Sequence, residues 1–143
     1  MGSIDCYLDA SFVVALLTAE PSSLSAIRFV RAHPSGLVVS DLAAAEFASA
    51  ISRRVRMRQM PQTEGQLVLS AFDRWMVTGA NGTEISSADI AVAAVFLRRL
   101  DLALRTPDAI HIAAAQRLAA TLITFDQRTA TAARTLGVAV ADV

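Results

Sequence analysis

The chain has 143 residues, 54% of them hydrophobic, and a formal net charge of zero. This length fits one domain that buries a full core without disulfides or a structural metal. A net charge of zero gives no indication of a nucleic-acid partner. A single cysteine, Cys6, excludes an internal disulfide and a multi-cysteine zinc site.

All 13 basic residues are arginines. Receiver domains and haloacid-dehalogenase-type phosphotransferases have a similar size or a similar aspartate-first layout, but both need a lysine and are excluded. The sequence contains no apolar run of membrane-spanning length and no signal-peptide pattern. We therefore expect one cytoplasmic domain over residues 1–143, with no membrane contact and with Met1-Gly2-Ser3 as a cloning remnant.

Short apolar runs alternate with helical patterns along the chain. Strands are predicted at residues 4–8, 37–39, 84–85, 121–125 and 138–140, with a turn at Asn81-Gly82. Helices are predicted at 12–17, between the break at 20–23 and His33, at 41–58, from after a turn at 60–63 to Gly79, at 90–104, from 106 onward and at 128–136. Alternating strands and helices favour an α/β fold with a central parallel sheet covered by helices on both faces.

The helix that begins near residue 106 combines a strong start signal with an apolar body. Thr106 is predicted as its N-cap and Pro107 as its first residue, which places Asp108 in the first turn. The residues that follow are apolar almost all round, so the helix is predicted to be buried. His111 lies one turn after Asp108, and we interpret it as a packed, hydrogen-bonded core residue rather than a general base.

Four carboxylates occupy comparable places in this pattern. Asp9 and Asp126 each follow a short apolar strand, Glu46 lies early in a helix after a strand, and Asp108 starts a helix. The carboxyl ends of parallel strands form the ligand-binding edge of such sheets, so these side chains can converge there. Their mutual repulsion would be relieved by a hard cation that prefers oxygen ligands, namely Mg²⁺ or Mn²⁺. Such a pocket can activate water for attack on a phosphodiester.

Two arginines are candidates for contact with a substrate phosphate. Arg53 follows Glu46 by two helical turns and therefore lies on nearly the same helix face. Arg105 precedes the Thr106 helix and is the second candidate. The alternative interpretation is that these arginines are ordinary solvated residues with no role in substrate binding.

The segments around the four acids resemble a known family. The matching segments are Tyr7-Leu8-Asp9-Ala10-Ser11, Ala45-Glu46-Phe47, Arg105-Thr106-Pro107-Asp108-Ala109-Ile110-His111 and Ile123-Thr124-Phe125-Asp126. In order and spacing they resemble the acidic motifs of PIN-domain ribonucleases, in particular the VapC-type toxins of toxin–antitoxin pairs.

The resemblance implies a PIN-like three-layer α/β/α fold and a Mg²⁺-dependent endoribonuclease, with Mn²⁺ as a substitute. It implies an RNA substrate of the tRNA or rRNA class, a homodimer and a cognate antitoxin that blocks the site. The acids Asp9, Glu46, Asp108 and Asp126 would then be the metal-binding and catalytic residues. Ser11 and Thr124 would be hydroxyls that order the first and last aspartates.

Two other functions stay open at this point. One is a catalytically silent PIN-like module that binds RNA or a protein. The other is a structure-selective nuclease that acts on DNA. Four intact acids argue against the silent module, because buried carboxylates are unfavourable without a cation.

Overall fold

The computed structural model describes residues 5–143. The predicted cloning remnant, residues 1–3, and Ile4, the predicted first residue of the first strand, lie outside the described residues. The strands are β1 (Cys6–Leu8), β2 (Leu37–Ser40), β3 (Asn81–Thr83) and β4 (Thr121–Ile123). The helices are α1 (Ala10–Leu17), α2 (Ser23–Ala32), α3 (Asp41–Arg56), α4 (Gln62–Thr78), α5 (Ser87–Leu97), α6 (Thr106–Arg117) and α7 (Gln127–Thr135).

The four strands form one parallel sheet in the order β3-β2-β1-β4. Cys6 of β1 pairs with Leu37 on one side and with Thr121 on the other. The chain therefore adds β2 and β3 on one side of β1 and then returns to add β4 on the opposite side. Ligands of open α/β sheets bind outside the carboxyl ends of the strands at such a reversal. The fold thus predicts a site where β1 and β4 end.

The core has two halves because successive side chains of a strand point to opposite faces of the sheet. Tyr7 and Leu122 pack on one face with α5, α6 and α7. Leu8 and Ile123 pack on the other face with α1 and α3. The predicted three-layer α/β/α architecture with a parallel sheet is confirmed.

Helix α6 is the most buried helix of the protein's described part. Every residue from Ala109 to Ala115 is buried, and alanine predominates in that run. Small side chains let α6 lie close to the sheet and to α5, which is its main helical neighbour. The prediction of a buried helix after Asp108 is confirmed.

Tertiary pairing overruled the sequence pattern at the third strand. The turn expected at Asn81-Gly82 and the strand expected at Glu84-Ile85 are both wrong, because residues Asn81–Thr83 form β3 and pair with β2. The partner strand supplies hydrogen-bond partners that a local pattern cannot reveal. A Cβ at Gly82 would meet open space, so glycine is not demanded there by a close contact.

Several other predicted boundaries also differ from the structure. The strand predicted at 121–125 ends at Ile123, and α4 begins at Gln62, inside the turn predicted at 60–63. Helix α5 ends at Leu97 instead of residue 104, and Arg99 pairs with Asp101 in the turn that follows. Arg105, not Thr106, is the N-cap of α6, because the extended backbone continues to Arg105. The strand predicted at 138–140 is reduced to one isolated bridge between Leu122 and Val140.

No helix within residues 5–143 is both long enough and apolar enough to cross a bilayer.

Candidate active site

Asp9 lies directly after β1 and is the N-cap of α1. Its carboxylate accepts hydrogen bonds from the Ser11 hydroxyl at 2.6 Å and from the Phe12 backbone N–H at 3.1 Å. The residue is only 5% exposed. Burial raises the pKa of this carboxyl, although the hydrogen bonds it accepts and the nearby His111 act in the opposite direction. A bound cation at this edge of the sheet would favour its ionised form.

Asp126 occupies the matching place after β4. Its Oδ1 caps α7 by accepting from the backbone N–H groups of Arg128 and Thr129, at 3.0 and 3.2 Å. Two hydroxyls connect it to Asp9. Ser11 Oγ lies 3.3 Å from Thr124 Oγ1, which accepts from the Asp126 backbone N–H at 3.0 Å. The first and last acids are therefore joined by hydrogen bonds across the ends of β1 and β4.

Asp108 enters the same region from the first turn of α6. The Nε of Arg105 donates to Asp108 Oδ2 at 3.2 Å, and the Nη2 of Arg105 lies 3.7 Å from Asp126 Oδ2. Hydrogen bonding to Asp108 and the charges of the surrounding acids raise the pKa of Arg105. One exposed guanidinium thus lies against two of the four carboxylates and offsets part of their charge.

Glu46 reaches the site from α3 and contacts the Nε2 of His111 through its Oε1. The Nδ1 of His111 lies 2.6 Å from the hydroxyl of Tyr7, which donates to Ser40 Oγ at 2.9 Å. Burial raises the pKa of Tyr7, so its hydroxyl stays protonated. His111 is 2% exposed, whereas the side chain of Glu46 is 31% exposed. Glu46 is therefore the point where a buried polar chain meets solvent.

A groove of about 660 Å³ opens beside these residues. Glu46 and Asp126 line it together with the two arginines singled out from the sequence, Arg53 and Arg105. The neighbours of Glu46 on this side, Ser49 and Ala50, are small, which leaves room for a ligand. Glu20 lines the groove as well, so two cationic side chains and three carboxylates surround one open space.

The donor set fits a hard cation, since it consists of carboxylate and hydroxyl oxygens with neither cysteine nor a histidine pair. The side chains do not converge as they stand. Within residues 5–143, no three Asp, Glu, His or Cys side chains lie close enough together to hold an ion. The reason lies in their present partners, because Arg105 engages Asp108 and Asp126 while His111 engages Glu46. Rotation of these surface carboxylates is needed for cation binding.

The structure brings all the sequence-predicted site residues to one edge of the molecule. Asp9, Ser11, Thr124 and Asp126 form the hydrogen-bonded line described above, with Asp108 attached through Arg105. Sequence reasoning missed the contact between His111 and Glu46. The only available signal was the spacing of His111 from Asp108, which places both side chains on nearly the same face of α6. His111 is buried and hydrogen-bonded, as predicted, but one of its partners is a candidate site residue.

Comparison with known proteins identifies the fold family. The family model of the PIN domain matches residues 6–135. The chain belongs to the PIN-domain family.

This PIN domain is similar to ribonuclease VapC46 of Mycobacterium tuberculosis, with 36% identity over 138 residues that cover 94% of each chain. Its fold is similar to that of Mycobacterium tuberculosis VapC20, described as a sarcin–ricin loop cleaving toxin, with a TM-score of 0.74 and 18% identity. That match covers 90% of this chain and 95% of VapC20. A toxin–antitoxin complex from Klebsiella pneumoniae has a TM-score of 0.57 and 21% identity, over 86% of this chain and 88% of that one.

Proposed function

We propose that this PIN domain is a divalent-metal-dependent endoribonuclease and the toxin of a toxin–antitoxin pair. The observation that carries the proposal is that Asp9, Asp108 and Asp126 lie at one edge of the sheet, linked through Ser11, Thr124 and Arg105. Glu46 borders the same groove. Similarity to a VapC ribonuclease over nearly the whole chain supports the same activity.

The four acids would hold Mg²⁺, or Mn²⁺ in its place, at the carboxyl edge of the sheet. When bound, the cation supplies a Lewis acid that activates water and stabilises charge on the phosphodiester. Ser11 fixes the orientation of the Asp9 carboxylate through the 2.6 Å hydrogen bond. Thr124 fixes the backbone that carries Asp126. These residues hold the acids in place before a substrate arrives.

Arg53 and Arg105 line the groove and are the proposed contacts to RNA phosphates. Arg105 also pairs with Asp108 and Asp126, so a cation at the acids would release its guanidinium toward the groove. Arginine suits this task because its planar head donates several hydrogen bonds to one phosphate.

The proposed substrate is an RNA of the tRNA or rRNA class. VapC20, which has the same fold, is described as cleaving the sarcin–ricin loop. A cognate antitoxin that covers the groove, a homodimer and a cytoplasmic location complete the proposal, and the fold shared with a toxin–antitoxin complex supports the antitoxin.

One observation favours a second candidate function, a catalytically silent module. In the described residues the acids are held apart by Arg105 and His111 rather than gathered around one point. A module that binds RNA or a protein through the groove needs no cation. A DNA nuclease would use the same acids, and it is distinguished by its substrate.

The deciding experiment uses the Asp108→Asn variant and a matched control, Asp101→Asn. Asp101 is an exposed aspartate that pairs with Arg99 outside the groove. Wild type and Asp101→Asn should cut cellular RNA at discrete positions with Mg²⁺, and chelator should abolish cleavage. Asp108→Asn should reduce cleavage at least about a hundredfold, since a charged ligand of the cation is removed.

Parallel assays on tRNA, rRNA and DNA separate the candidates. Cleavage of DNA alone would replace ribonuclease with deoxyribonuclease. Retention of RNA binding without cleavage under Mg²⁺ and Mn²⁺ would support the silent module.

A further inference from the structure

A chain of buried polar side chains runs through the core and ends at Glu46. Ser40, Tyr7 and His111 are each no more than 2% exposed. They come from the end of β2, from β1 and from α6, respectively. Their hydrogen bonds connect the middle of the sheet with the candidate site.

Hydrophobic packing alone does not require hydrogen-bonded polar side chains at these buried positions. Tyr7 lies in the core half formed by α5, α6 and α7, whose buried side chains are mostly aliphatic. Its ring and that of His111 are 5.6 Å apart and tilted, so the two side chains also fix each other by contact. Buried polar groups persist where their partners satisfy them, and here both nitrogens of the imidazole have partners.

Glu46 is the one partly exposed member of this chain. Its side chain is about one-third exposed and borders the open groove, and a glutamate at such a surface loses conformational entropy when it is ordered. The contact with the rigid imidazole orders it. His111 engages only Oε1, so the second carboxylate oxygen is left to face a ligand.

We propose that His111 is a positioning residue, held by Tyr7 and Ser40, that orients the Glu46 carboxylate for cation binding in the groove. The inference rests on the proposed metal-dependent function. Hydrogen bonds that orient a metal-binding carboxylate raise metal affinity, and their loss typically weakens it tenfold or more. The role differs from that of a general base, because His111 is buried behind Glu46 and does not line the groove.

The test measures Mn²⁺ affinity by titration calorimetry on the full chain, without RNA. His111→Leu removes the imidazole that contacts Glu46, and we expect Mn²⁺ to bind about tenfold more weakly. His111→Gln retains a side-chain N–H near the place of Nε2 and should stay close to wild type. Tyr7→Phe removes the support of the imidazole and should give a smaller loss. Glu46→Gln should weaken binding at least as much as His111→Leu.

Ile112→Val is the control for a purely structural effect. Ile112 neighbours His111, is fully buried and packs in the same core half. We expect it to lower the thermal unfolding temperature in chelator while its Mn²⁺ affinity stays at the wild-type level. Weak binding by His111→Leu together with wild-type binding by His111→Gln and Ile112→Val would support the positioning role.

Two results would overturn the positioning role of His111 while leaving the proposed metal-dependent function intact. In both of them, wild type binds Mn²⁺. Either the His111 variants bind it as tightly as wild type, or Glu46→Gln has no effect. If wild type itself binds neither Mn²⁺ nor Mg²⁺, the proposed metal-dependent function fails as well.

Discussion

Asp9 caps a helix and is also a proposed metal-binding residue, and burial affects these two roles differently. Its carboxylate caps α1 through the Phe12 backbone N–H, which stabilises the helix start. The same carboxylate is almost fully buried, and its charge is unfavourable there without a cation. The sequence placed an acid after β1, and burial determines how that acid titrates.

The raised pKa of Asp9 predicts how its replacement changes stability with pH. Because the folded state binds this proton more tightly than the unfolded state, the contribution of Asp9 to stability is greatest below its ordinary value of 3.8. It is lost as the pH rises through the folded-state pKa. Asp9→Asn keeps an oxygen for the helix cap, so this variant should be more stable than wild type at neutral pH in chelator. Its advantage should shrink in acid.

Urea unfolding at several pH values, in chelator and then with excess Mg²⁺, measures the effect. Mg²⁺ should stabilise wild type, since a ligand that binds only the folded state does so, and should leave Asp9→Asn unchanged. Asp73→Asn, at an exposed position of α4, is the control. Equal stability of Asp9→Asn and wild type across the pH range would contradict the prediction.

At the scale of elements, an ion pair ties α5 to the helix that carries Asp108 and His111. Asp89 forms a capping box with Ser86 and accepts two hydrogen bonds from Arg117 of α6, at 2.8 and 2.9 Å. Arg117 also donates to the Glu84 backbone oxygen at 3.1 Å. Burial favours a higher pKa for Asp89, but the bonds from Arg117 and Ser86 hold it below the ordinary value.

Asp89→Ala should destabilise the domain by about 2–3 kcal/mol, because it removes a helix cap and the buried carboxylate that accepts two charged hydrogen bonds from Arg117. Since the folded-state pKa of Asp89 is lowered, its contribution is present at neutral pH and lost as the pH falls through the folded-state pKa. The gap between variant and wild type should therefore narrow in acid. Chemical denaturation at neutral and acidic pH measures it.

The matched control is Asp101→Ala, which removes the aspartate of the exposed ion pair with Arg99 between α5 and α6. Exposed pairs contribute little, so this change should have almost no effect on stability. If Asp101→Ala lowered the free energy of unfolding as much as Asp89→Ala, the ion pair between α5 and α6 would contribute no more than an exposed pair.

At the scale of the whole molecule, the chain has no net charge, and its candidate phosphate-binding arginines lie in one groove. The net charge is zero, yet Arg53 and Arg105 both face the space beside the acids. RNA affinity should therefore depend on few phosphate contacts and only weakly on salt. This distinguishes the domain from a broadly basic RNA-binding protein.

Arg53→Ala should weaken binding of single-stranded RNA and lower the slope of log affinity against log salt by about 0.7, the value for one phosphate contact. Arg56→Ala is the control. Arg56 lies on the same helix but bonds to Ser52 away from the groove. Fluorescence anisotropy in chelator, over a series of salt concentrations, gives both slopes. An identical slope for wild type and Arg53→Ala would remove Arg53 from the RNA surface.

Local patterns predicted most elements because each carries its own signal. The Ser86-x-x-Asp89 capping box marks the start of α5, and Ser40 caps α3 as its sequence position suggests. The same kind of reasoning failed at β3, where pairing with β2 outweighs an Asn-Gly turn signal. It also failed at the end of α5, since an apolar pattern does not show where a helix stops.

The sequence by itself determined the fold class and named the acids that are candidates for the site. Strand and helix periods, helix caps and the placement of acids after strands are local properties, and each is written in a few neighbouring residues. Only the tertiary structure decided which hydrogen bonds and ion pairs connect the candidate site residues. Arg105 bridges Asp108 to Asp126, eighteen residues further along the chain, and His111 joins Glu46 to Tyr7 across a much greater sequence separation. Such contacts depend on the register of the parallel strands and on the seating of α6 against the sheet, which no single segment encodes.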